Sequence, residues 1–182
     1  MEENMESIDI LKKEHQNILY FIEEVRRTCI EILDGKPLDV KLFYEYLEFG
    51  RYYADRHHHK KEEDILFYIM MEELGEIAEK LIRYGMLVEH DLGRLHLLEL
   101  ETALKEYEVN PSTELKLDIL SLITGYGFLL KRHIDKEDNT IYPFAERMLN
   151  EESKDIINKE SQLFENREAE SINAKFRKWI VN

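Results

Sequence analysis

Helix breakers are scarce in this chain: three prolines and seven glycines in 182 residues. Such a sequence can run in long helices with few interruptions. Cysteine occurs once, at Cys29, which excludes an intrachain disulfide and agrees with a reducing compartment. Basic residues are also short, 25 Lys and Arg against 39 Asp and Glu, giving a formal net charge of −14 at pH 7. That balance opposes binding to nucleic acid or to an anionic membrane surface, since both need clustered positive charge. No apolar run approaches the roughly 20 residues of a membrane span. The opening stretch, Met1 to Asp9, is acidic and polar, unlike the basic and then apolar start of a signal peptide. These absences predict a soluble, cytoplasmic protein with neither a nucleic-acid nor a membrane partner. What remains is an apolar fraction of 43%, enough for a packed interior in one domain.

Apolar residues recur with helical periodicity almost throughout. The first helix is expected from Ser7 to Leu33, stopped by Asp34-Gly35-Lys36-Pro37, a capping glycine followed by proline. A second runs from about Leu38 to Met71, with a break at Glu73-Leu74-Gly75. A third ends near Glu108, before Asn110-Pro111, and Ser112-Thr113 opens a fourth that ends near Leu149. Short connections make consecutive helices antiparallel neighbours. The expectation is an all-α fold: an up-down-up-down four-helix bundle over 7–149, with an additional amphipathic helix over 150–182. The apolar positions of that last segment include Ile156, Leu163, Ile172, Phe176 and Trp179.

One set of residues occurs twice at a fixed offset. Glu14-His15, His58, Lys61 and Glu62 reappear 75 positions later as Glu89-His90, His133, Lys136 and Glu137. His15 and His58 are 43 positions apart, as are His90 and His133. Their heights agree too. His15 lies 21 residues before the first turn and His58 lies 22 after it; His58 and His90 each lie 16 from the second. His90 is 20 residues before the third turn and His133 is 23 after it. At about 1.5 Å per residue, all four histidines fall within one or two helical turns of one level.

The apolar stripes decide which way each group faces. His15 shares a face with Ile8, Leu11, Ile18, Leu19 and Ile22, and His90 with Met86, Leu87, Leu97 and Leu104. His133 shares one with Ile119, Leu122, Tyr126, Leu129, Leu130 and Ile141. In the triplet His57-His58-His59, the stripe of Phe43, Leu47, Ala54, Ile65, Leu66 and Ile69 selects His58, and Glu62 one turn on. His57 and His59 are expected at the surface or edge. On the fourth helix Glu137 is favoured over Asp138. Lys61, Lys136, Glu14 and Glu89 are read as surface charge, with an outer hydrogen-bonding role for the two glutamates as the alternative. Cys29 and Tyr126 are expected in the core, and His96 lies off the His90 face. Four imidazoles and two carboxylates at one level in a core need something to pair them, and a bound cation does so. The candidate metal ligands are His15, His58, Glu62, His90, His133 and Glu137. Divided between two ions they give two His and one Glu each, a set that suits non-haem iron. Manganese fits it as well; structural zinc, which favours a closed four-ligand shell rich in Cys and His, fits less well.

The segments His58-His59-Lys60-Lys61-Glu62-Glu63-Asp64-Ile65-Leu66-Phe67, Glu89-His90-Asp91-Leu92-Gly93-Arg94 and His133-Ile134-Asp135-Lys136-Glu137-Asp138, with Tyr142-Pro143, resemble the hemerythrin-like (HHE) cation-binding domains. The resemblance covers about residues 8–148. It implies a four-helix bundle around an oxo- or hydroxo-bridged di-iron centre, with the six residues above as ligands. Oxygen-carrying hemerythrins have a further histidine one turn after the third-helix ligand. Here that position is Arg94, which suggests an open coordination position and turns the expectation from reversible oxygen carriage toward peroxide, nitric oxide or iron chemistry. Gly93 is read as allowing close helix packing or room for a small ligand. The expected function is a di-iron protein that binds or reduces a small diatomic or peroxide ligand. The alternative is an iron- or oxygen-sensing or iron-handling module without turnover, whose C-terminal helix transmits the metal state. Either works as a monomer or a homodimer.

Overall fold

The structure is a computed structural model that describes residues 5–181. The reading of the N-terminus rests partly on residues 1–4, and that of the C-terminal segment includes residue 182; both lie outside the described residues. Every regular element among the described residues is helical. α1 is Glu6–Leu33. Its end is closed by Lys36 N–H donating to Glu31 O over 3.0 Å, with Gly35 at φ +105°, a conformation that costs glycine little. α2 occupies residues 40–74, and the Asp39 carboxylate accepts from Leu42 N–H at its start. Gly75, at φ +63°, separates it from α3, residues 76–109. α2 therefore runs three residues past the expected end, because the left-handed glycine is the stop and not the glutamate before it. Ser112 caps α4, residues 113–148, by accepting from Leu115 N–H. Asn150 caps α5, Glu151–Lys175, and a short turn at Arg177–Trp179 follows.

α3 packs along α4, α4 along α1, and α2 along α3, while α5 lies against α1 and α2. The interior is in two apolar blocks. One holds Ile8, Leu11, Leu66, Phe67, Met70, Ile82, Met86, Ile141 and Tyr142. The other holds Ile18, Phe21, Phe43, Phe49, Tyr53, Leu97, Leu104, Ile123, Tyr126 and Leu130. On each of the first three helices the histidine of the repeat falls between a segment in one block and a segment in the other, and on the fourth His133 lies at the end of one block's segment, ahead of Ile141 in the other. Gly50 and Gly93 let the helices come close here. A Cβ on Gly50 would sit 2.8 Å from Leu97 Cδ2, and one on Gly93 would meet the Tyr126 ring at 3.4 Å. Gly93 is thus accounted for by packing.

The helices are not uniform. Wider turns, with i→i+5 hydrogen bonds, occur at Phe49–His59, Glu62–Leu66, Ile82–Met86 and Glu137–Ile141. Such turns are rare and concentrate at functional positions. The pair at Glu62–Leu66 and Glu137–Ile141 keeps the offset of 75 and begins each time at a candidate ligand.

α5 buries Ile157, Ser161 and Phe164, whereas Ile156 and Leu163 are exposed. The expected face was one residue out of register. Both stripes repeat every seven residues, and docking on α1 and α2 selects between them. Phe176 and Trp179 do pack inward, with Trp179 against Phe21, Phe49 and Tyr46. No helix among the described residues is long and apolar enough to cross a membrane. Replacing the buried Trp179 by alanine should cost about 3 kcal/mol of unfolding free energy in urea titrations followed by circular dichroism; an unchanged midpoint would show that the C-terminal turn does not hold the core.

Candidate metal centre

The six candidate ligands meet in the layer between the two apolar blocks, and all six are buried. They form two imidazole pairs. His15 Nε2 and His58 Nε2 are 3.0 Å apart, and His90 Nε2 and His133 Nε2 are 2.9 Å apart. Glu62 and Glu137 lie between the pairs. Glu62 Oε2 is 3.6 Å from both His58 Nε2 and His90 Nε2. Glu137 Oε1 is 3.0 Å from His133 Nε2, and its Oε2 is 3.3 Å from His15 Nε2. Neither oxygen of Glu137, nor Glu62 Oε2, has a properly directed hydrogen bond among the described residues.

The outward nitrogen of each imidazole is tied to a carboxylate. His15 Nδ1 is 2.8 Å from Asp138, His58 Nδ1 2.9 Å from Glu14, His90 Nδ1 2.6 Å from Glu63, and His133 Nδ1 2.9 Å from Glu89. An ionised carboxylate only accepts, so Nδ1 carries the hydrogen and Nε2 presents a lone pair inward. Carboxylates behind metal-bound imidazoles act in this way to fix the tautomer and raise basicity. Two inward lone pairs 3.0 Å apart repel unless a cation lies between them. Two ligands at about 2.1 Å from one ion, at a right angle, are about 3 Å apart. The donor set and its orphaned oxygens therefore fit a metal.

The ionisation of the layer says the same. Burial, and then the neighbouring Glu137, push the Glu62 carboxyl well above its ordinary range. Burial acts against Glu137 as well, but His133, His15 and His90 hold it well below. Burial opposes a charge on His133, yet Glu137 and Glu89 raise it to about 9. His15 is raised against burial by Asp138 and Glu137, while burial lowers its partner His58 to about 4. In the His15–His58 pair one member is drawn to a proton and the other shuns it, so a proton can stand where a metal ion would bind.

Several residues depart from expectation. Glu14 is buried and Glu89 largely so; both belong to the carboxylate ring, the alternative role considered for them. Glu63 and Asp138 belong to it too. They follow Glu62 and Glu137, and on a regular helix they would be rotated away by about 100°. The wide turns bring successive carboxylates closer in direction, so one faces the layer and the next backs an imidazole. Lys61 is buried, not solvated: its ammonium donates to Glu14 and to Glu165 of α5. Burial works against the Glu14 charge, but Lys61, His57 and His58 hold its carboxyl far below the ordinary range. Lys136, the repeat partner of Lys61, bonds Glu89 at the surface as expected. α5 thus covers one of two equivalent Lys–Glu–His connections and leaves the other open. His57 and His59, expected at the edge, are both buried. His57 joins Glu14 and Glu165, at 3.0 and 3.3 Å. Cys29 and Tyr126 are core residues as expected, and His96 is half-buried away from the layer. Arg94 donates to Asp55, Asp91 and Glu63, which seats the carboxylate behind His90. Tyr142 was not foreseen: its hydroxyl donates to Glu62 Oε1 over 2.5 Å and lies 3.4 Å from His15 Nε2.

Ligand atoms from His15, His58, Glu62 and Glu137 lie within 4.8 Å of one another, and so do those of His59, Glu62, His90 and His133. A family model described as hemerythrin HHE cation binding domain matches residues 6–145. Comparison with curated proteins and with solved structures gave no match. The carboxylate ring yields a graded prediction. Glu63→Ala and Asp138→Ala should each weaken metal binding by about 10- to 100-fold, while Glu62→Ala and Glu137→Ala abolish binding of two ions. Competition with a chelator measures both effects; equal affinity across the four variants would reverse the assignment of inner and outer carboxylates.

Proposed function

Because the chain belongs to the hemerythrin HHE cation-binding domain family, we propose that the buried layer is a dinuclear iron centre inside an up-down-up-down four-helix bundle. Residues 150–181 form an added segment laid over that bundle. His15 and His58 hold one ion, His90 and His133 hold the other, and Glu62 and Glu137 lie between them. The observation that carries this reading is the double pair of inward Nε2 atoms, each with its Nδ1 tied to a carboxylate. Imidazole and carboxylate donors without thiolate suit non-haem iron. Manganese has the same taste in donors, and metal analysis tells them apart.

Two adjacent irons supply redox chemistry toward oxygen, peroxide or nitric oxide, and the proposed partner is such a small ligand. The chain sets the conditions. Glu62 and Glu137 offset the charge of the ions in a low-dielectric interior. The two apolar blocks keep bulk water from the layer. The Tyr142 hydroxyl, between Glu62 and His15, can hold or pass a proton on the His15–His58 side. The lone buried thiol Cys29 fits a reducing cytoplasm.

Iron-replete expression should give about two irons per chain, with a visible ligand-to-metal absorption band that changes when hydrogen peroxide or nitric oxide is added. One tightly held zinc and no iron would overturn the proposal. Metal removal should also lower the melting temperature by about 10 °C, since ions bound at 1,000 times their dissociation constant add about 4 kcal/mol; superimposable melts with and without chelator would contradict a centre built into the core.

One observation favours a sensing role instead of turnover. Glu165 on α5 reaches the layer through Lys61, Glu14 and His58, so a change at the metal alters the charge that holds α5. A sensor should show metal-dependent protease sensitivity near Glu165 and no consumption of peroxide or nitric oxide. Rapid consumption with unchanged cleavage would favour the enzyme.

A further inference from the structure

The paired histidines and glutamates of the layer recur at the offset of 75, but His59 does not: its counterpart is Ile134. His59 is nonetheless buried at the level of the layer. It offers a nitrogen within 4.8 Å of the ligand atoms of Glu62, His90 and His133. Its Nδ1 has no hydrogen-bond partner among the described residues. Asp55 Oδ1 stands behind that nitrogen at 3.6 Å. Asp55 is itself held by Arg94, at 2.9 Å through Nε and 2.7 Å through an outer guanidinium nitrogen. The four paired imidazoles are each hydrogen-bonded to a carboxylate, whereas Asp55 stands beyond hydrogen-bond distance of His59 Nδ1 and leaves that nitrogen unpartnered among the described residues.

We infer that His59 is a fifth imidazole ligand, completing the ion held by His90 and His133, so that the two ions of the centre are unequal. The inference rests on the dinuclear reading above. It gives that ion three imidazoles and leaves the other with His15 and His58. The position available to a small ligand then lies on the His15–His58 side, beside the Tyr142 hydroxyl. Arg94, one turn after His90, contributes no lone pair, because its guanidinium faces Asp55, Glu63 and Asp91. The third imidazole comes from α2.

A competing role for His59 is packing. Its ring lies flat on His90, with centroids 3.8 Å apart and planes 9° from parallel. Two imidazoles in parallel planes cannot both aim in-plane lone pairs at one ion, so ligation requires the His59 ring to turn about its Cβ–Cγ bond. Phenylalanine separates the two roles, since it keeps a flat ring against His90 and has no lone pair.

The test uses the full chain reconstituted with iron(II) under anaerobic conditions. X-ray absorption at the iron edge of the wild type should count five imidazoles over two irons; four would overturn the inference. In His59→Phe, the second iron should bind more than about 100-fold more weakly, a larger loss than removal of a supporting carboxylate causes, with helical circular dichroism retained. Two irons held at wild-type affinity in that variant would assign His59 to packing and overturn the inference while leaving the dinuclear reading intact. If the variant does not fold, the imidazole count of the wild type decides. A wild type that retains no iron would overturn the dinuclear reading itself, and the role of His59 with it.

Discussion

Four imidazoles aim lone pairs at one another in a space closed to water, and the rest of the structure is arranged around that constraint. Each Nδ1–H is engaged by a carboxylate, so none of the four rings can relieve the conflict by changing tautomer without breaking a buried or partly buried hydrogen bond. Hydrogen bonds to charged partners are among the stronger ones, and leaving a buried carboxylate unpaired costs more than the bond itself contributes. The outer ring therefore orients the inner one, and the inner one requires a cation. Basic residues stabilise the ring in turn: Lys61 on Glu14, Lys136 on Glu89 and Arg94 on Glu63.

The repeat makes two halves that are not identical. α5 covers the Lys61 side and leaves the Lys136 side at the surface. Tyr142 brings a hydroxyl to Glu62, where its counterpart Phe67 brings only a ring, which stacks on His90. His59 stands where the other half has Ile134. A symmetric scaffold thus surrounds a centre whose two sides see different chemistry. One side has a proton-bearing hydroxyl and the connection to α5; the other has an additional imidazole and the more exposed flank.

Much of this was legible in the sequence. Few glycines and prolines gave long helices, and Gly35, Gly75 and the Asn110-Pro111 step marked their ends. The offset of 75 and the heights of the histidines placed His15, His58, His90 and His133 at one level, and the structure brings them together with Glu62 and Glu137. What escaped was the consequence of wide helical turns. A strict helical wheel turns Glu63, Asp138 and His59 away from the layer. The i→i+5 turns at Glu62–Leu66 and Glu137–Ile141, and across Phe49–His59, alter that angular bookkeeping, and no residue type announces them. Burial of Lys61 also escaped, because it depends on α5 folding back from more than 100 positions away. The register of α5 itself was ambiguous, since Ile156 and Leu163 make as good a stripe as Ile157 and Phe164. The repeat did contain a usable signal: Glu63 and Asp138 share the offset, and so do Glu14 and Glu89.

The central claim is that His15, His58, His90 and His133 are fixed with Nδ1–H outward and Nε2 free to meet a cation. Side-chain ¹⁵N resonance spectra of the metal-free chain, titrated with diamagnetic zinc(II) as a probe, test it directly. Four histidines should keep hydrogen on Nδ1 throughout, and their Nε2 resonances should move on metal addition, reaching an end point at two ions per chain. Absence of hydrogen from Nδ1 in those residues, or Nε2 resonances that do not respond to metal, would contradict it.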